Sequence, residues 1–330
     1  MSEWQGSRAR FYAKFGLYRT MDFYDKDLVS IRDLRREQIE YILDLSKKMV
    51  PYARGEKNDR PLDGKILGNL FFEPSTRTKL SFESAAYRLG MDVIDVSEMS
   101  MTSIAKGETL ADTIRMVDAY CDCIVLRHPY EGAARLAADV SENPVINAGD
   151  GAGSHPTQML LDLFTIKEAK GSLDGLDVAL VGDLKYGRTV HTLAQALTMF
   201  GVKLTLIAPE SLQMPQDIVD RVKSKGCDPR KTADLEKAIG DADVLYVTRI
   251  QKERFPDPAE YKKVADTYRI DNAILRSAKD DMIIMHPLPR VNEIATEVDS
   301  TPHARYFQQA FNGVPVRMAI LCAILGGDPQ

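Results

Sequence analysis

The stretch KILGNLFFEPSTRTKLSFESAAYRLG at residues 65–90 contains three structural signals in a row. Its first part, KILGNLFF, is a short apolar run of the kind that forms a buried strand. Its last part, TRTKLSFESAAYRL, has apolar residues at helical spacing, and Gly90 is the residue type that commonly ends a helix. The stretch therefore predicts a strand, a turn and a helix, which together are the repeating unit of a parallel α/β sheet.

The same alternation continues on both sides of residues 65–90. Further apolar runs that predict strands are MDVIDV, CIVLR, PVINA, VALVG, KLTLIA, VLYVT and MIIMH. Between the third and fourth of these, the Gly-rich stretch AGDGAGSHP (148–156) predicts a loop that opens a helix, with Pro156 near its first position. Since 330 residues are too many for one small core, we expect two doubly wound, parallel-sheet α/β domains.

Composition narrows the possible partners. The chain is 44% hydrophobic and 28% charged, with a formal net charge of −5, so neither a nucleic acid nor a membrane is an expected partner. No apolar run is long enough to span a bilayer, and residues 1–20 lack the apolar core of a signal peptide, which predicts an N-terminal extension and a cytoplasmic location. The four cysteines form neither a disulfide framework nor a metal-ligand pattern, so we expect no metal site.

The turn at Ser75-Thr76-Arg77-Thr78 is the strongest candidate for an anion site. It lies where a strand meets a helix, and the free N–H groups and the positive dipole end of a helix attract anions. Three hydroxyls add donors, and a guanidinium is suited to phosphate. The alternative is that one hydroxyl only caps the helix. Because a cap needs one hydroxyl and not three around an arginine, the turn favours a phosphate site.

The segment FFEPSTRTKLSFE (71–83) resembles the carbamoyl-phosphate-binding signature of the aspartate/ornithine carbamoyltransferase family. The family's other signatures follow in order: TSIAKGETLADT (102–113), LRHPYEGAARLA (126–137), NAGDGAGSHPTQMLLDL (147–163), VGDLKYGRTVHTL (181–193), TRIQKER (248–254) and MHPLPR (285–290). The resemblance covers nearly the whole chain after the extension. It implies a carbamoyl-phosphate-binding domain at 1–154, completed by a C-terminal helix at 314–330, and an aspartate-binding domain at 155–313. It also implies an active site in the cleft between them.

The second substrate separates the members of this family. Ornithine needs an acidic partner, whereas the two carboxylates of aspartate call for guanidinium groups. The relevant positions hold Arg188, Arg249 and Gln251, and the last motif is His-Pro-Leu-Pro at 286–289 and not His-Cys-Leu-Pro. The resemblance therefore implies carbamoyl transfer to L-aspartate, an early step of de novo pyrimidine biosynthesis. No cofactor is implied.

The resemblance also implies a role for individual residues. Ser75, Thr76, Arg77 and Thr78 would hold the phosphate, and Thr78, Arg127 and His155 would stabilise the carbamoyl oxygen. Gln158 and the backbone carbonyls of Pro287 and Leu288 would accept hydrogen bonds from the carbamoyl NH2. Lys106, Arg188, Arg249 and Gln251 would bind aspartate. The catalytic set is Arg77, Thr78, Arg127 and His155.

Two features of the resemblance concern assembly. Ser103 and Lys106 lie in a loop, at about residues 97–107, that in the family reaches into the neighbouring subunit's site, which implies a homotrimer with shared active sites. The run HPYEGAARLA (128–137) is similar to that of catalytic chains that associate with separate zinc-bearing regulatory chains. Such chains are therefore possible partners.

Three other interpretations fit part of the pattern. An ornithine or other amino-acid carbamoyltransferase would have the same fold. A nicotinamide-dependent enzyme is suggested by VALVGDLKYG, but this segment lacks the G-x-G-x-x-G fingerprint. A non-catalytic homologue would be expected to lose the charged site residues, and these are present.

Overall fold

A computed structural model describes residues 23–97, 107–151, 153–250, 264 and 267–329. The chain divides into two compact units. The first unit runs to Leu160 and resumes at Gly313, and the second comprises Leu161–Asn312.

The first unit is built on a four-stranded sheet with the order β2-β1-β3-β4. Its strands are β1 (Ile66–Phe71), β2 (Asp92–Ser97), β3 (Cys123–His128) and β4 (Val145–Asp150), and every pair is parallel. Its helices are α1 (Arg36–Arg54), α2 (Thr76–Leu89), α3 (Leu110–Asp118) and α4 (Ala133–Val140). The boundaries between the units fall within two further helices, α5 (Pro156–Lys170) and α10 (Tyr306–Leu325).

The second unit is built on a five-stranded sheet with the order β7-β6-β5-β8-β9, again entirely parallel. Its strands are β5 (Asp177–Val181), β6 (Lys203–Ile207), β7 (Arg230–Thr232), β8 (Val244–Val247) and β9 (Ile283–Met285). The helices that connect them are α6 (Arg188–Leu197), α7 (Gln216–Ser224), α8 (Leu235–Ile239) and α9 (Asn272–Leu275). The prediction of two parallel-sheet α/β domains is confirmed.

Burial explains why these segments adopt their elements. All residues of β3, β4 and β8 are buried, as expected for strands covered on both faces. Helix α2 ends where predicted, because Gly90 adopts a left-handed conformation (φ 91°) that other residues rarely adopt. Pro156 occupies the first position of α5, also as predicted.

The C-terminal helix differs from the sequence prediction. It was expected at 314–330, but α10 begins at Tyr306 and ends at Leu325. The prediction relied on the strongly apolar run VPVRMAILCAILGG, which starts at Val314. The preceding residues are more polar, and Tyr306, Gln309 and Asn312 are nevertheless buried. Tertiary burial, which the local pattern does not show, therefore extends the helix by two turns.

The candidate residues lie at the carboxyl ends of the strands in both sheets. In the first unit the segments after β1 and β4 and the end of β3 lie at the carboxyl edge of neighbouring strands. In the second unit the segments after β5, β8 and β9 do the same. Because ligands of open parallel sheets bind at the carboxyl ends of the strands, each sheet presents one candidate binding edge. Among the described residues, no helix is long and apolar enough to cross a membrane.

Candidate active site

The turn between β1 and α2 has the geometry of an anion site. Ser75 is the N-cap of α2, and its backbone carbonyl accepts from the Lys79 N–H at 3.0 Å, but its side chain makes no capping hydrogen bond within this described turn. No acidic residue lies in the first helical turn, Thr76–Lys79. Capping therefore does not explain the hydroxyl of Ser75, and no carboxylate of the first helical turn offsets the positive end of the helix dipole.

Arg77 adds a partly desolvated cation at this helix start. Burial lowers the pKa of the Arg77 guanidinium, and it still remains charged at neutral pH. Among the residues that the structure describes, no carboxylate forms an ion pair with it. Thr78, one residue further, is buried.

Arg127 connects the three strand ends of the first sheet. It lies in β3, beside Phe71 at the end of β1. Its guanidinium donates to Glu73 at 2.7 Å and to the Ala148 carbonyl in β4 at 3.0 Å. Since the side chain is only 10% exposed, these bonds fix the guanidinium beside the Ser75–Thr78 turn.

The loop that leads to His155 is organised by the carboxylate of Asp150. One oxygen accepts from the Gly132 N–H at 2.9 Å, and the other from the Ser154 N–H at 2.9 Å and the Asn147 amide at 3.0 Å. His155 follows directly and is buried, and its carbonyl accepts from the Gln158 N–H at 3.1 Å in the first turn of α5. The candidate residues of the first unit therefore lie at or after the ends of neighbouring strands, at one edge of the sheet.

His128 is similar to His155 in sequence, but its environment indicates a structural role. Its Nδ1 accepts from the Tyr130 N–H at 3.1 Å, and its ring packs edge-on against Phe72 at 5.9 Å between centroids. Burial lowers the pKa of His128, so the neutral ring is favoured at neutral pH. This environment agrees with the choice of His155 as the candidate.

In the second unit, Arg188 and Arg249 follow neighbouring strands. Arg188 is the first residue of α6, after β5, and Arg249 lies two residues beyond the end of β8. The two segments are held together by Thr248, whose N–H and hydroxyl donate to the Val181 carbonyl at 2.8 and 3.1 Å. Gly182 is required at this crossing, since a Cβ there would lie 2.2 Å from the Thr248 oxygen.

Pro287 and Leu288 lie after β9, the next strand of the same sheet. Leu288 has a positive φ of 55°, and its N–H donates to His286 Nδ1 at 2.8 Å. The second sheet thus brings two arginines and the turn of Pro287 and Leu288 to its carboxyl edge. Ser103, Lys106 and Gln251 lie outside the described residues.

Two family models match this chain along nearly its whole length. The model for the aspartate/ornithine carbamoyltransferase carbamoyl-P binding domain matches residues 26–168, and that for the Asp/Orn binding domain matches residues 174–324. The chain belongs to the aspartate/ornithine carbamoyltransferase family.

Relatives within the aspartate/ornithine carbamoyltransferase family are similar over almost the full chain. An aspartate carbamoyltransferase catalytic subunit from Archaeoglobus fulgidus is 61% identical over 300 residues, which are 91% of this chain and 99% of the relative. The catalytic subunit of M. jannaschii aspartate transcarbamoylase has a TM-score of 0.84 at 52% identity, covering 90% and 96% of the two chains. A Trypanosoma cruzi aspartate transcarbamoylase, solved with carbamoyl phosphate and aspartate, has a TM-score of 0.87 at 43% identity, covering 92% and 98%.

Several residues that shape this carbamoyltransferase site were not identified from the sequence. Glu73 pairs with Arg127, Asp150 organises the loop before His155, and Glu293 accepts from His286 Nε2 at 2.7 Å. Glu73 and Asp150 occur inside the family motifs, which was the available signal. Glu73 pairs with Arg127 from a different strand, and Asp150 accepts from residues on both sides of it. A single sequence does not show which acid faces which donor.

Proposed function

We propose that this chain transfers the carbamoyl group of carbamoyl phosphate to L-aspartate, giving N-carbamoyl-L-aspartate and phosphate, an early step of pyrimidine biosynthesis. The main support is the turn before α2. There Arg77 and the hydroxyls of Ser75, Thr76 and Thr78 surround a helix N-terminus that has no acidic residue in its described first turn. The names of the relatives, all aspartate carbamoyltransferases, agree with this chemistry.

The proposed reaction needs positioning and charge stabilisation. The aspartate α-amine attacks the carbamoyl carbon, the C–O bond to phosphate breaks, and the proton of the amine leaves to the departing phosphate. Charge develops on the carbamoyl oxygen, where Thr78, Arg127 and His155 would donate. One such donor is typically worth about 3 kcal/mol in the transition state. The Arg77 guanidinium would offset charge on the phosphate as it departs.

The second unit would bind aspartate. Arg188 and Arg249 follow adjacent parallel strands, so two guanidinium groups are available to two carboxylates. Gln251 would assist, and the carbonyls of Pro287 and Leu288, with Gln158, would accept from the carbamoyl NH2. An ornithine site would instead need an acidic partner for the side-chain amine. We therefore assign carbamoyl-phosphate binding to the first unit, which includes His155 and Gln158 and so extends beyond the expected boundary at residue 154, and aspartate binding to the second unit.

The experiment that tests this proposal compares two amino acids and two arginine variants. The purified chain should carbamoylate aspartate and not ornithine in a colorimetric ureido assay. Arg77→Ala should lower kcat/KM by about 100- to 1,000-fold, the usual cost of one charge-stabilising donor. Arg115→Ala is the matched control, because Arg115 is exposed on α3 and pairs with Asp112 in the adjacent turn. Faster turnover of ornithine, or full activity of Arg77→Ala, would reject the assignment.

We further propose a cytoplasmic homotrimer in which Ser103 and Lys106 complete the neighbouring subunit's site. Inactive Arg77→Ala and Lys106→Ala chains, dissociated and re-formed together, should then regain activity, with about a quarter of the sites intact under random assortment around a cyclic ring. No recovery in verified mixed trimers would count against sharing. Light scattering of the chain alone should give a trimer, and any larger assembly should require added regulatory chains.

A further inference from the structure

The turn after β9 has a backbone conformation that needs support. Leu288 adopts a φ of 55°, in the left-handed region that non-glycine residues rarely occupy. Such a conformation costs on the order of 1–3 kcal/mol and persists only where the surroundings impose it. In the proposed function, this same turn presents the carbonyls of Pro287 and Leu288 to the carbamoyl NH2. The groups that impose the conformation therefore bear on substrate binding.

The buried His286 stabilises this turn through hydrogen bonds of its side chain and its backbone. Its Nδ1 accepts from the Leu288 N–H at 2.8 Å, and its own N–H donates to Gln309 Oε1 at 2.8 Å. The side chain is 1% exposed. Because Nδ1 accepts, the ring proton of the neutral imidazole must be on Nε2. That Nε2 lies 2.7 Å from Glu293 Oε1, which accepts it. The tautomer is thus fixed from both sides of the ring.

Glu293 accepts hydrogen bonds from the backbone that follows the turn. Its second carboxylate oxygen accepts from the N–H groups of Val291 at 3.0 Å and Asn292 at 3.1 Å. Burial acts to raise the pKa of Glu293, but the hydrogen bonds from His286 and the backbone outweigh it and hold the pKa below its ordinary value. A buried carboxylate therefore faces the ring and keeps the proton on Nε2.

The turn is also anchored to the centre of the second unit. Gln309 donates to Asp162 Oδ1 at 2.7 Å, and the hydroxyl of Tyr246 donates to Asp162 Oδ2 at 2.8 Å. All three side chains are almost completely buried. A chain of hydrogen bonds thus runs from β8 through α5 and α10 to the backbone of His286.

We propose that His286 is a positioning residue of the carbamoyl-phosphate site: its Nε2-protonated tautomer, fixed by Glu293, holds the Leu288 N–H and thereby the carbonyls of Pro287 and Leu288 in place for the carbamoyl amide. This inference rests on the proposed function. His286 itself touches no substrate. Its effect is on the geometry of two acceptors, where a displacement of about 1 Å can cost up to about 100-fold in rate.

Two substitutions of His286 separate this role from general support of the fold. In His286→Asn the side-chain oxygen can accept from the N–H two residues later, as in an Asx-turn, so the Leu288 bond is restored while the bond to Glu293 is lost. His286→Ala has neither. We expect His286→Ala to lower kcat/KM for carbamoyl phosphate by about 10- to 100-fold, mainly through KM. His286→Asn should recover at least half of that loss on a logarithmic scale. Equal losses in the two variants at matched melting temperatures would overturn the proposal.

A spectroscopic measurement tests the same inference without activity. The chain has five histidines, so nitrogen-15 imidazole spectra can be assigned with one variant for each. At neutral pH His286 should show a protonated Nε2 and an unprotonated Nδ1, and Glu293→Gln should mix the tautomers. A protonated Nδ1 in the unsubstituted chain would overturn the proposal, even if His286→Ala fails to fold. If the tautomer is as expected but aspartate is not carbamoylated, the proposed function fails and the positioning role of His286 in the turn does not.

Discussion

Replacing Asp150 with asparagine should disorganise the loop that places His155. The two carboxylate oxygens of Asp150 accept three hydrogen bonds, from the Gly132 N–H, the Ser154 N–H and the Asn147 amide. Asparagine keeps the size of the side chain and converts one oxygen to NH2. In its better orientation the remaining oxygen still accepts from the Ser154 N–H and the Asn147 amide. Its NH2 then faces the Gly132 N–H, donor against donor, at about the 2.9 Å of the native bond.

The cost follows from that single mismatch. A hydrogen bond to a charged group contributes about 1.5–3 kcal/mol, and a buried donor left without an acceptor costs about 1–3 kcal/mol. Because Asp150 is only 5% exposed, water does not readily replace the lost acceptor. Since these contributions overlap, we expect Asp150→Asn to lower the free energy of unfolding by about 2–3 kcal/mol. That corresponds to a fall of about 5–10 °C in melting temperature for a unit of this size.

Differential scanning calorimetry measures this effect directly, and Asp139→Asn is the matched control. Asp139 is an exposed acidic residue on α4, so its substitution removes the same charge without a buried mismatch. The control should melt within about 1 °C of the unsubstituted chain, as surface substitutions usually do. If Asp150→Asn also melts within that range, the carboxylate does not organise the loop. Loss of activity without loss of stability would also contradict the reasoning.

Three further perturbations have defined outcomes. Gly182→Ala should lower the free energy of unfolding by about 2–5 kcal/mol, because the φ of Gly182 is 111° and the new Cβ would lie 2.2 Å from the Thr248 oxygen. Urea denaturation measures this effect. An unchanged urea midpoint would show that the backbone shifts at this position without a cost in stability. Phe82→Ala should lower the free energy of unfolding by about 3–5 kcal/mol, because the ring is fully buried and its centroid lies 4.9 Å from the Arg317 guanidinium. A loss below about 1 kcal/mol would mean that neighbouring side chains move in to fill the cavity. Burial lowers the pKa of His191 from its ordinary value of 6.5. Below about pH 6.5 the His191 imidazole is therefore protonated more readily in the unfolded chain than in the folded chain, and the free energy of unfolding should fall as the pH drops. His191→Gln should flatten that slope between pH 6.5 and 5, and an unchanged slope would assign it to other groups.

The sequence predicted the positions of the candidate residues because position along a parallel α/β chain has a spatial meaning. Arg188 and Arg249 each follow an apolar strand, and adjacent parallel strands end at one edge. The same logic identified the Ser75–Thr78 turn, whereas Arg127 was implied by the resemblance to the family. The alternation of strand and helix and the residue types of the turn predicted the anion site, and the family motifs then supplied Arg127, Arg188, Arg249 and the substrate.

The supporting groups could not be predicted in this way. Glu293 and Gln309 act on His286 from 7 and 23 residues away, and nothing local distinguishes them from surface polar residues. The short strand β7 and the short helices α8 and α9 were also not identified from the sequence, because three to five residues give too little periodicity. Features set by burial and by long-range pairing need the folded chain.

The discontinuity of the first unit affects the order in which the chain can fold on the ribosome. Domains usually fold from the N-terminus as synthesis proceeds. Here the segment from Val316 to Ile324 is almost completely buried, and the Ile324 carbonyl accepts from the Asp25 N–H at 3.0 Å, so the start of the described chain is paired with its end. The second unit is therefore fully synthesised first. The unit that holds the Ser75–Thr78 turn can complete its fold only after the C-terminal residues have left the ribosome. A stalled or truncated nascent chain would accordingly lose the unit that holds the Ser75–Thr78 turn before the unit that holds Arg188 and Arg249.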